Sequence, residues 1–135
     1  MIDKSKIEQK ADSVIHSFNV AGVSFRPDAV QTVFREWKLN IEKHHATRRM
    51  LCWLEPDPAN KFDSNAIKVW VRLNDNLDLH VGYVPKGPIQ ATFLREMEQQ
   101  EDWCLWGRVI SIGRTDPDMM GDRHMGIVVE FVLPS

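Results

Sequence analysis

The segment AIKVWVRLNDNLDLHVGY, residues 66–83, constrains the fold of this 135-residue chain more than any other. From Ala66 to Leu73 apolar and polar positions alternate, with Ile67, Val69, Val71 and Leu73 on one side and Lys68 and Arg72 on the other. A period of two is the mark of a strand buried on one face. Asn74-Asp75-Asn76 supplies turn chemistry, and the alternation resumes with Leu79, Val81 and Tyr83 sharing a face. An isolated hairpin with one apolar face is not stable in water, so the rest of the chain must supply further strands to cover it.

Those strands are readable. Val14 to Phe25 reads as a strand interrupted by Gly22, Met50 to Leu54 as a short strand with Met50, Cys52 and Leu54 on one face. Trp103 to Ile112 and Gly126 to Leu133 form the last pair, joined by a loop containing Asp116, Pro117 and Gly121. Two segments have helical spacing instead. RPDAVQTVFREWKLN opens with Pro27 and places Ala29, Val30, Val33, Phe34 and Trp37 on one stripe. PKGPIQATFLREMEQQED, framed by Pro85 and Pro88, carries Ile89, Phe93, Leu94 and Met97. About six short strands with two helices predict a mainly β fold, a small, mostly antiparallel β-barrel, because two helices are too few to cover both faces of a parallel sheet. Residues 1–13 read as a tail or short helix, and 14–135 as a single domain.

Charge and hydropathy narrow the function classes. No apolar run approaches a membrane span, and the N-terminus MIDKSKIEQKADS lacks the apolar segment of a signal peptide, so the expectation is a cytoplasmic protein without membrane attachment. Cys52 and Cys104 each lie in an apolar segment and read as reduced core thiols. Trp37, Trp53, Trp103 and Trp106 read as core. Alternation places Trp70 on the outer face, where packing under a helix is the favoured reading. Net charge is −2, which offers no overall attraction to nucleic acid, so any such site must be a local pocket.

One stretch is more specific than periodicity requires. EPDPANKFDSNAIKVW, residues 55–70, resembles the central signature of HIRAN domains through Glu55, Pro56, Asp57, Asn60, Phe62, Asp63, Asn65, Ala66, Ile67 and Val69. VAGVSFR (20–26) is similar to that family's first-strand motif, and HVGYVPK (80–86) to its Gly-Tyr-x-Pro strand end, in the same order. The resemblance implies an OB-like barrel that occurs beside helicases and nucleases or alone. It also implies a pocket for the 3′ end of single-stranded DNA, in which aromatic rings stack on terminal bases and an aspartate accepts a hydrogen bond from the free 3′-hydroxyl.

By that resemblance Asp63 is the acceptor, Phe62 and Phe25 the stacking faces, and Arg26, Lys61 and Lys86 the phosphate contacts. The chemistry is sound, since a carboxylate accepts from a hydroxyl and repels an internal phosphate, and base stacking on an aromatic ring does not depend on sequence. A purely structural role competes for Asp63, Asn65 and Phe62. An Asp or Asn in Asp63-Ser64-Asn65 can close an Asx-turn onto the backbone, a role assigned here to Asn65, and Phe62 can serve as a core lid. Family members that hold DNA ends often carry tyrosines where this chain has Phe25 and Phe62, so the stacking faces remain while hydroxyl hydrogen bonds are lost. Position 24 is Ser where a basic residue can occur, and the link from Pro27 to Arg49 is longer than usual.

Other constellations are weaker. Lys38, Lys43, His44, His45, Arg48 and Arg49 form a basic stretch that either tracks phosphates or is a solvated surface run. His16, His44, His45, His80 and His124 with the two cysteines lack zinc-ligand spacing, and Asp57, Asn60, Asp63 and Asn65 lack the spacing of an EF-hand loop. No nucleophile elbow or phosphate-cradling loop is present in the sequence. The expectation is therefore a binding module without catalysis, metal or cofactor. Its partners would be single-stranded DNA or DNA 3′ ends, beside a separately encoded helicase or nuclease, in replication or repair. The alternative is a protein-interaction adaptor that keeps the barrel without the pocket.

Overall fold

The structure, a computed structural model, describes residues 13–44, 50–99, 105–114 and 125–134. The loop with Asp116, Pro117 and Gly121, together with Cys104, Trp103, His124 and the His45, Arg48 and Arg49 of the basic stretch, lies outside them.

Among the described residues, six strands and two helices follow in the order β1 (Ser13–Asn19), α1 (Pro27–His44), β2 (Met50–Pro56), β3 (Ile67–Asn74), β4 (Leu77–Tyr83), α2 (Pro88–Gln99), β5 (Leu105–Arg114) and β6 (Met125–Pro134). All six strands join one antiparallel sheet in the order β1-β6-β5-β2-β3-β4. The protein is thus mainly β. The sheet is not closed into a barrel. Its two edges touch at a single antiparallel bridge, where the Ala21 and Tyr83 backbones exchange hydrogen bonds of 2.8 Å.

The first strand is shorter than its sequence pattern predicts. It ends at Asn19, and the chain turns through Gly22, at a φ of 74°, into a short 3-10 turn over Val23–Phe25. That left-handed backbone suits glycine, and it starts α1 directly at Pro27.

One face of the sheet makes the core. Cys52, Leu54, Ile67, Val69, Val71, Val81, Ile127 and Val129 are fully buried, with Val30 and Val33 of α1 and Phe93 and Met97 of α2 packed onto them. Burial pushes the Cys52 thiol up to about 12, so it is protonated and inert at neutral pH. No helix among the described residues is long and apolar enough to cross a membrane.

The other face carries an aromatic row, in which Trp70 stands on the outer side as alternation predicts, while Trp53 and Trp106 were expected in the core. Trp53 and Trp106 stand beside Trp70 rather than in the core. Trp53 stacks on Trp70 with centroids 5.5 Å apart and lies 6.2 Å from Trp106. What covers Trp70 is therefore the rings of Trp53 and His80, the latter at 5.3 Å, in place of the expected helix. The physical reason is register: Trp106, Trp53, Trp70 and His80 are direct cross-strand partners.

Candidate functional site

The site is built by two loops and the start of α2. The loop between β2 and β3 is closed at its ends, where the Asp57 N–H donates to the Ala66 carbonyl at 2.8 Å. Asn60 organises its interior. Its Oδ1 accepts the N–H groups of Phe62 (2.9 Å) and Asp63 (3.1 Å), and its Nδ2 donates to Asp57 Oδ2 at 3.1 Å. The Phe62 ring stands 92% exposed, so the core-lid reading does not hold.

Phe25 is 87% exposed at the end of the 3-10 turn. A Cβ added at Gly22 would lie 3.8 Å from the Tyr83 ring and 3.9 Å from the Phe25 ring, so the two rings flank that glycine. Burying a phenylalanine stabilises a fold by about 1.5–3 kcal/mol. Here two neighbouring loops each forgo that contribution.

All six residues singled out in the sequence, Phe25, Arg26, Lys61, Phe62, Asp63 and Lys86, line one cleft of about 790 Å³. Three of its lining residues are cations (Arg26, Lys61, Lys86) and two are carboxylates (Asp57, Asp63), so the cleft is locally positive although the chain is not.

The Asp63 carboxylate is held from two sides. Oδ1 accepts the Asn65 N–H at 2.9 Å and Oδ2 accepts Gln90 Nε2 at 2.9 Å. The Asx-turn is thus closed by the Asp63 side chain, while Asn65 contributes its backbone N–H and an exposed side chain, which corrects the structural role assigned to Asn65. These two roles of Asp63 are compatible, because an ionised carboxylate offers about four acceptor positions. The Gln90 hydrogen bond and the Asn65 N–H, followed by the charge of Lys86, hold Asp63 below the usual carboxylate range against an opposing desolvation.

Two residues of the cleft were missed in the sequence. Gln90, on α2, is the one buried polar side chain among the described residues. Tyr83 is the only tyrosine of the chain, and alternation from Leu79 puts it on the core face. A β-bulge between β3 and β4 reverses that phase: Val71 faces Leu79 and Trp70 faces His80, but Val69 then faces Gly82 and Lys68 faces Tyr83. Tyr83 therefore lines the cleft, with His80 edge-on at 5.0 Å.

Compared with models of known protein families, with curated proteins and with solved structures, the chain matches none of them.

Proposed function

We propose that this chain is a HIRAN-type module with an OB-like barrel that binds the free 3′ end of single-stranded DNA and performs no catalysis. The observation that carries the reading is the pair of solvent-exposed phenylalanines, Phe25 and Phe62, at the rim of a cleft that also holds an oriented carboxylate. An exposed large ring is unfavourable for folding and useful for stacking. In this reading the terminal bases stack on Phe62 and Phe25, and the 3′-hydroxyl donates to Asp63. Arg26, Lys61 and Lys86 neutralise the adjoining phosphates. Tyr83 supplies the phenolic hydroxyl that positions 25 and 62 lack. A cytoplasmic role in replication or repair, beside a separately encoded helicase or nuclease, follows from the same reading.

The test is titration of the Asp63→Ala variant with a labelled single strand. Selective loss of affinity for the 3′-hydroxyl end, with the fold intact by circular dichroism, supports the pocket. Binding equal to that of the parent refutes it, and a parent that binds no oligonucleotide at low salt favours the protein adaptor.

A further inference from the structure

The two edges of the sheet are treated differently. The β4 edge has the features that discourage strand addition: Asp78 lies within it, and its register with β3 shifts twice. The β1 edge has none. Ser13-Val14-Ile15-His16-Ser17-Phe18-Asn19 contains no Asp, Glu, Lys, Arg or Pro, and its pairing with β6 runs without a shift from Ser13–Pro134 to Asn19–Val128.

Its hydrogen-bonding polarity follows from the residues just beyond it. The Val20 N–H donates to Ile127 in β6, whereas the next residue, Ala21, donates the opposite way, to Tyr83. Alternation in an antiparallel ladder then turns the backbone groups of His16 and Phe18 toward β6 and those of Ser13, Ile15 and Ser17 away from it. Among the described residues these outward groups have no backbone partner. The side chains beside them are apolar and exposed: Ile15 at 64%, with its cross-strand neighbour Val132 at 61%.

We propose that β1 is the seam of a homodimer, in which two copies pair antiparallel through Ser13–Ser17 about a two-fold axis at Ile15. A second copy fits because this edge is self-complementary. The axis sets Ile15 against its own copy and Ser13 against Ser17, with no charged side chain meeting another. On the outer face the row becomes Val132, Ile15, Ile15 and Val132, four aliphatic side chains across one continuous sheet. The seam lies at the end of β1 away from the Ala21–Arg26 turn, so it is independent of DNA binding at the cleft.

Sedimentation equilibrium of the full chain over a wide concentration range tests this, alongside Ser17→Pro and Ile15→Lys. Proline at position 17 removes only an N–H that points away from β6, so the fold should survive. Lysine at position 15 places a charge on an exposed side chain. The expected result is a mass twice the 15.6 kDa of one chain for the parent, and a single-chain mass for both variants with unchanged circular dichroism. A monomeric parent throughout overturns the proposal, and so do folded variants that dimerise as the parent does.

Discussion

Phe25 and Phe62 show how a residue can be informative by what it fails to do. Each is a large apolar ring left in water, so truncation removes little from the fold. Phe25→Ala and Phe62→Ala are each expected to leave the thermal midpoint within a degree or two and to weaken single-strand binding by about 1–3 kcal/mol, the scale of one stacked base. Calorimetry and anisotropy titration on the same samples check both halves. Gln90 acts one step back, through Asp63. Replacing it with Met removes the largest influence holding the carboxylate low, so the pKa of Asp63 should rise. Binding needs the ionised form in this account, so it should fall off at a higher pH in Gln90→Met than in the parent. Carboxyl NMR of Asp63 without DNA reads the pKa shift independently of binding. The Asp63 motif was legible because its turn chemistry is local. Its hydrogen bond to Gln90, 27 residues away, is a tertiary contact that no spacing reveals.

At the scale of elements, the alternation of β3 and the helical stripes of α1 and α2 were legible because burial on one face imposes a period. The reversal of phase in β4 was not. A bulge adds one residue to a strand without changing its composition, and here it decides that Tyr83 faces the cleft. Gly82 makes that arrangement possible: a Cβ there would lie 2.7 Å from Val20 Cγ1 and collide with the Ala21 carbonyl oxygen. Gly82→Ala should therefore pry apart the Ala21–Tyr83 bridge. The expected cost is about 1–3 kcal/mol, as for other overpacked sites, measured by urea denaturation. Exchange protection of the Ala21 and Tyr83 amides should fall with it. Trp53 and Trp106 were misread for a related reason: size argued for the core, while strand register aligned them beside Trp70 on the outer face, where the rings cover one another.

At the scale of the whole molecule, His80 makes stability sensitive to mild acidity. Burial, then the charges of Arg26 and Lys68, depress its pKa from 6.5 to about 4, against the opposing hydrogen bond with the Gly82 carbonyl and the charge of Asp57. The unfolded chain binds this proton more readily than the folded one. Stability is therefore full above pH 6.5 and declines as pH falls toward 4. His80→Phe should flatten that decline, as thermal melts across the interval would show.

In the proposed complex, binding should be salt-dependent despite the net charge of −2, because the three cations lining the cleft would neutralise phosphates there. The most direct test of the central claim is anisotropy at low salt with one labelled single strand, ended either by a 3′-hydroxyl or by a 3′-phosphate. The account predicts clear preference for the hydroxyl end, lost in Asp63→Ala. Equal affinity for both ends would contradict it, leaving a general basic groove in place of an end-binding pocket.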